Sequence, residues 1–488
     1  MTISTEGAHT AATGLRQADP ATDGSNRSGL SSAGLITLLL GAALPIIDFF
    51  IVNVALPTID TTLHASTSTL ELVVAGYGIA YAVLLVLGGR LGDTFGRRRL
   101  FIAGLAAFTV TSLACGLAPT ATVLVLARAF QGAAAALMLP QVLSTIQATT
   151  SGQRRSAALG FYGATGGICT VVGQLLGGLL VAANIDGSQW RPIFLVNVPV
   201  GLAGLLLASR TVPDTRSENP VGIDRLGTVL LGVSLLTLLV PLMEGGALGW
   251  PVWIWLTLGV FPFAAAGFVV VERRSERAGA VPLLPPSVMR LPSMRKGLLL
   301  AAPFFAAFGG FMFVYAVTLQ EGLHLGPLGS GVALTPLALG FLGASLLSSR
   351  LVTRLGSRVV PYGATIQGLG IAVLIGSTLL NWPDLGVLDL APGMVLIGVG
   401  QGMTMTTLFR VILSQVPVDR AGVGSGALVT TQQTCLALGV ATLGTLYASL
   451  GTPSGLGMRD AFVLVMAVMF VVAVALSIGG RALPDPRG

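Results

Sequence analysis

Gly89-Arg90-Leu91-Gly92-Asp93-Thr94-Phe95-Gly96-Arg97-Arg98-Arg99-Leu100 separates two apolar segments, roughly residues 70 to 90 and 99 to 118, each long enough to cross a bilayer. A five-residue polar connection, Asp93 to Arg97, leaves room only for a tight helical hairpin at a membrane surface. Cytoplasmic loops beside spans accumulate Lys and Arg, so the Arg97-Arg98-Arg99 cluster turns this surface toward the cytoplasm. The pattern recurs. Ser349-Arg350-Leu351-Val352-Thr353-Arg354-Leu355-Gly356-Ser357-Arg358 aligns with 89 to 98 without gaps, pairing Arg90 with Arg350, Leu91 with Leu351, Gly96 with Gly356 and Arg98 with Arg358. The chain reads as two related halves.

Composition places the whole chain in a bilayer. Its 488 residues are 53% hydrophobic and 10% charged, with mean hydropathy +0.84, against about 25% charged in soluble domains. Span-length apolar segments fall near 33 to 58, 70 to 91, 99 to 118, 121 to 143, 156 to 182, 192 to 210, 226 to 243, 251 to 271, 297 to 320, 328 to 349, 359 to 380, 390 to 413, 422 to 447 and 460 to 480. Fourteen spans put both termini on one side, and the cations test which. Of the 27 Lys and Arg, only Arg191 and Arg459 fall on the opposite side and only Arg128 within a span. Both termini are therefore expected in the cytoplasm. The same asymmetry accounts for the +7 net charge, so no nucleic-acid partner is implied. Residues 1–32 read as a disordered cytoplasmic tail without a signal-peptide pattern, and 481–488 as a short cytoplasmic C-terminal tail. Cys115, Cys169 and Cys435 lie in spans, where a thiol acts as a small apolar group; neither disulfides nor metal are expected.

The offset between the two basic loops divides the chain into a six-helix bundle over 33–210, an inserted helix pair with flanking loops over 211–296, and a second six-helix bundle over 297–480. Internal repeats of this kind mark secondary transporters, with the site at the repeat interface. Here the chain resembles the major facilitator superfamily, and within it the fourteen-span drug/proton antiporter branch. Gly89 to Leu100 is similar to the family's loop between its second and third helices, with Gly89, Asp93, Gly96, Arg97 and Arg98 in place; the resemblance casts these five as a cytoplasmic gate. Leu124-Val125-Leu126-Ala127-Arg128-Ala129-Phe130-Gln131-Gly132 is similar to the fourth-helix motif. Asp48-Phe49-Phe50-Ile51-Val52-Asn53-Val54-Ala55-Leu56-Pro57 resembles the first-helix signature, and Trp190 to Pro199 the start of the sixth helix. Two positions depart from the pattern. Phe49 and Phe50 stand where a small hydroxyl residue is usual, and Gly173-Gln174-Leu175-Leu176-Gly177-Gly178 lacks the Gly-Pro of the fifth-helix antiporter motif.

An ionisable group deep in a span costs at least about 2.5 to 3.5 kcal/mol and is a functional candidate. Asp48 and Arg128 stand out, at one depth by helical rise, and Arg128 shares a face with Gln131 and Gly132. Burial favours a protonated carboxyl while a neighbouring Arg favours the charged one, so a rocking motion that alters their distance or hydration loads and unloads a proton. The expected cavity wall comprises Tyr77, Tyr81, Gln131, Gln174, Gln401, Gln432 and Gln433, with an aromatic stripe Phe304, Phe308, Phe311 and Tyr315 on the ninth span. Helix packing is the alternative reading of each. Gly422-Val423-Gly424-Ser425-Gly426 opens a span and follows no strand, so it is read as helix packing rather than a phosphate loop; no Walker A pattern occurs. The expectation is a monomeric, non-enzymatic exporter of amphipathic small molecules or drugs in the cell membrane, driven by protons and using no cofactor. An importer or facilitator of a small metabolite, or a lipid translocator, are the alternatives on the same fold.

Overall fold

The computed structural model describes residues 29–216, 222, 224–280, 282–417, 421–451 and 455–485. Most of the 1–32 tail and the end of the 481–488 tail lie outside these residues. Fourteen long helices follow one another: α1 (Ser32–Leu63), α2 (Thr67–Phe95), α3 (Arg97–Gly116), α4 (Ala121–Thr149), α5 (Gly152–Ala183), α6 (Asn197–Thr211), α7 (Arg225–Ala247), α8 (Val252–Arg277), α9 (Pro292–Val317), α10 (Pro327–Leu355), α11 (Val359–Asn381), α12 (Val387–Leu413), α13 (Ala421–Gly439) and α14 (Met458–Gly479). A single turn, Pro192–Leu195, leads into α6, and α13 continues through a wide π turn, Val440–Gly444, into Thr445–Leu450. Among the described residues, thirteen segments are long and apolar enough to span. The remaining one, α5, has 32 residues, and its apolar part is Val172–Ala183.

Local chemistry sets the helix ends. Ser31, Ser66 and Thr120 each accept a hydrogen bond from the backbone N–H three residues on, satisfying a donor that the first turn leaves unpaired. The α2–α3 hairpin is tighter than the expected five residues: Gly96 alone separates the helices, at φ +105°. Its counterpart Gly356, between α10 and α11, also takes positive φ, +60°. Only glycine adopts such a backbone without strain, which accounts for this pairing in the repeated loops.

Close helix contact is built on glycine too. A Cβ on Gly132 of α4 would stand 2.1 Å from the Tyr77 carbonyl of α2, and one on Gly398 of α12 would stand 2.0 Å from the Leu337 carbonyl of α10. Leu337 follows Tyr77 at the spacing that separates Arg350 from Arg90, so the two halves repeat their packing as well as their loops. We expect Gly132→Ala to cost about 1–3 kcal/mol through overpacking. Gly163→Ala, on the exposed side of α5 with nothing within 4 Å, should be neutral or stabilising by about 0.5–1 kcal/mol. Thermal unfolding of the solubilised protein compares them, and equal melting temperatures would refute the close-contact account.

Three seams join the first six helices to the last six. Gln320 Nε2 donates to the Val54 carbonyl at 2.9 Å, linking the turn after α9 to α1. Thr430 of α13 donates to the Ala82 carbonyl of α2 at 3.1 Å. A Cβ on Gly331 of α10 would lie 3.0 Å from the Gln174 carbonyl of α5. Helix α7 lies over the second seam, where Leu231, Leu235, Leu239 and Met243 pack on Ala75, Ile79, Ala82 and Val86 of α2, on Ala437 and Leu438 at the far end of α13 and on Ala441 in the turn beyond it. Helix α8 packs outside α7 and keeps large apolar side chains such as Leu256 and Phe263 exposed, as a lipid-facing helix does.

The inserted pair is fastened to α2 at both ends. Arg90 donates to the Gly222 carbonyl at 3.0 Å and to the Pro282 carbonyl. Glu272 accepts from the Leu283 and Leu284 amides at 3.3 and 2.6 Å. At the other end Ser68 donates to Glu244 at 3.3 Å.

Candidate functional site

Asp48 sits mid-way along α1, three residues after Pro45, and is completely buried. Helix α5 presses against this part of α1: Cβ atoms on Gly173 and Gly177 would stand 2.9 and 2.8 Å from the Ile47 and Ile51 carbonyls. The glycines flanking Gln174 therefore keep α5 close around the acid even without the proline of the related motif.

The Asp48 carboxylate accepts from three side chains. Arg128 Nη1 forms an ion pair with Oδ2, while Gln131 Nε2 and Asn197 Nδ2 each donate to Oδ1 at 2.9 Å. Gln131 and Asn197 also donate to Ser112 Oγ at 2.7 and 3.3 Å. Arg128 is fixed in turn by donation to Gln131 Oε1 at 2.7 Å and to the Val73 carbonyl at 3.1 Å. Its guanidinium lies 4.5 Å from the Tyr77 ring centroid and 5.6 Å from that of Phe194. Five helices of the first half, α1, α2, α3, α4 and α6, thus close a polar nest inside an apolar bundle. Fully paired in a dry site, such a carboxylate is held; loss of one partner leaves a buried charge at a cost of several kcal/mol. The structure holds the pair in its closed form, sealed from water.

The other expected residues distribute differently. Gln131 belongs to the nest instead of a substrate wall, because its amide completes the coordination of Asp48. Tyr77 donates to the Pro45 carbonyl at 3.4 Å and stacks on Tyr81, centroids 6.2 Å apart, so the tyrosine pair backs the same nest. Phe304, Phe308, Phe311 and Tyr315 are all buried in protein rather than turned to lipid. Phe308 meets Phe50 of α1 at 6.3 Å across the seam, whereas Phe311 stacks on Tyr315, whose hydroxyl donates to the Ala333 carbonyl at 3.4 Å. Gln174 points at Met312 of α9, with Nε2 3.9 Å from the sulfur. Gln401 is buried with neither amide atom paired, and Gln433 Oε1 is also unpaired, while Gln432 is half-buried. Unpaired buried amides are costly, and water or a ligand that can hydrogen-bond to them satisfies them.

At the Arg-rich end Asp93 pairs with Arg97 at 2.9 Å. Arg97 also donates to the Ser144 carbonyl of α4 at 3.3 Å, and Arg98 to the Ser209 carbonyl of α6. A Cβ on Gly96 would meet the Arg216 and Asp214 side chains at 3.2 and 3.3 Å, and one on Gly89 would touch Pro140 at 3.6 Å. These contacts tie the hairpin to α4, to α6 and to the loop that follows α6.

The expectation that only Asp48 and Arg128 are deep ionisable groups is too narrow: Glu71, Glu272 and Arg90 are also buried. Asn197 and Ser112 were not anticipated as partners of Asp48. Asn197 lies within the Trp190 to Pro199 stretch, which was the available signal; Ser112 is one of many small hydroxyl residues and carried none. Among the described residues no three metal-ligating side chains converge.

The sequence profile of the Major Facilitator Superfamily matches residues 38–440. The probable actinorhodin transporter of Streptomyces coelicolor is 34% identical over 421 residues, spanning 85% of this chain and 72% of that protein. A puromycin resistance protein of Streptomyces alboniger is 36% identical, spanning 84% and 81% of the two chains. The tetracenomycin C resistance and export protein of Streptomyces glaucescens is 34% identical, spanning 91% and 78%. Among solved structures, a POT family transporter in complex with 5-aminolevulinic acid superposes with TM-score 0.67 over 91% of this chain and 95% of its own, at 14% identity. At that identity the likeness concerns the fold.

Proposed function

The chain belongs to the major facilitator superfamily, and on that premise we propose that it exports small drug- or antibiotic-like molecules across the cell membrane in exchange for protons. The observation that carries the proton half of this reading is the sealed pair of Asp48 and Arg128, an acid and a fixed cation in the dry interior of one half. The relatives that carry antibiotics or confer resistance to them support the export half. Substrate is carried unchanged, so no cofactor is needed and the proton gradient is the energy source.

In this cycle the six-helix sets 33–210 and 297–480 rock about the seams, with 211–296 fastened to the first. Separation of Asp48 from Arg128 admits water and a proton, and re-pairing expels it. Substrate binds between the halves, where Phe308 meets Phe50 and where the unpaired Oε1 atoms of Gln174 and Gln433 accept hydrogen bonds from it. The Asp93–Arg97 hairpin gates the Arg-rich end, which faces the cytoplasm with both termini, and one chain suffices. Reconstituted into liposomes, the protein should drive an amphipathic dye uphill when a pH gradient is imposed and stop when a protonophore collapses it. Transport that runs only downhill and ignores the protonophore would overturn the reading.

A further inference from the structure

The Asp48 nest leaves one buried acid of the first half unused. Glu71, in the second turn of α2, is 1% exposed. Its carboxylate oxygens lie 3.4 and 3.3 Å from Thr445 Oγ1, which donates to them. Thr445 begins the short helix beyond the wide turn Val440–Gly444, so this contact crosses from the first half to the second. A Cβ on Gly444 would lie 3.0 Å from Glu71 Oε1 and 3.0 Å from the Phe313 ring of α9. Glycine and the ring together close the carboxyl in, and the whole joint lies at the Arg-poor end of the α2–α13 seam.

The groups facing Glu71 do not neutralise it. Helix α7 brings another acid, Glu244, held by Ser68. The buried cation of α4, Arg128, pairs with Asp48 and donates to Gln131 and the Val73 carbonyl, not to Glu71. Asp60 of α1, half-buried, and Glu321 of the turn after α9, exposed, add further acids at the same end. Among the described residues no cation pairs with Glu71. An ionised carboxylate supported by one hydroxyl donor in a water-poor joint carries an uncompensated burial cost, which the neutral acid avoids. Once the joint opens, water solvates the charged form and that cost vanishes.

We propose that Glu71 is a second proton-binding site, which takes a proton from water at the Arg-poor end when the α2–α13 seam is open and holds it while the seam is closed. The proton joins the carboxylate on closing and returns to water on the same side on reopening. It is therefore not carried across, and Glu71 adds nothing to transport stoichiometry. What it adds is a dependence of closure on the pH of that side: acid favours the closed seam, alkali the open one. This deepens the proposed cycle and rests on its two-state premise, but not on Asp48 as the coupling acid.

Spin labels at the exposed positions Thr61 and Ser449, at the Arg-poor ends of α1 and of the segment after α13, report opening in purified protein without substrate. A single proton bound only in the closed state changes the open-to-closed ratio by up to about tenfold per pH unit. Between about pH 5 and about pH 9 the Asp48→Asn protein should therefore open by at least about tenfold. Glu71→Gln, which mimics the neutral acid, should remain closed throughout, and Glu71→Asp should restore a pH-dependent opening. An unchanged pH response in Glu71→Gln, or no response in Asp48→Asn, would overturn the proposal. Loss of uphill transport in Asp48→Asn is a separate result that tests only the proton-coupled export.

Discussion

Asp48→Asn is expected to abolish uphill transport while leaving the protein folded. Asn keeps the volume and one carbonyl acceptor, so Arg128 Nη1 retains a partner, and Arg128 also keeps Gln131 and the Val73 carbonyl. What disappears is titration. With one proton exchanged per substrate, a two-unit pH gradient supports a concentration ratio of up to about 100-fold. In the variant that ratio should fall to about one, with downhill flux and substrate binding retained. Dye distribution in proteoliposomes at fixed pH gradients measures it. A wild-type gradient in the variant would remove Asp48 from the coupling step and move attention to another acid.

Arg128→Met should produce the largest loss of stability of any single change in the nest. Methionine fills the volume but leaves the Asp48 carboxylate with two amide donors and no cation in a fully buried site. Breaking a buried pair in this way costs about 3–5 kcal/mol, most of it the penalty of the stranded charge. Adding Asp48→Asn removes that charge, so the double variant should be more stable than Arg128→Met alone, a sign of coupling that independent sites do not show. Yield of monodisperse protein and its melting temperature read both effects. A double variant less stable than either single one would mean that the nest is held by its amide network and not by the ion pair.

The bundle was legible because its determinants are local and repeated. Apolar runs mark the helices, the arginines mark one surface, and Gly96 and Gly356 mark two tight hairpins in register. Asp48 and Arg128 were legible for a related reason, since a charge inside an apolar run advertises itself. Their environment was not. Asn197 reaches Asp48 from 149 positions away, and the Trp190 to Pro199 stretch marks its segment without saying which side chain it meets. Glu71 illustrates the harder case: so near a helix start, an acid ordinarily meets water. It is buried here because a turn 374 positions further on folds across it. Arg90 and Glu272 were hidden likewise, since the backbone around Pro282 to Leu284 returns to receive them. In each instance the charge is visible in the sequence and its dryness is decided by a segment outside its own helix.

Helix α7 touches both halves through apolar side chains, but its hydrogen-bonded ties run to the first. Toward α2 it interlocks leucines and a methionine with Ile79 and Val86 and is tied at both ends. Toward α13 and the turn that follows it, the helix meets Ala437, Leu438 and Ala441. Hydrogen-bonded to one half and in apolar contact with the other, the inserted helix covers the α2–α13 seam along its length.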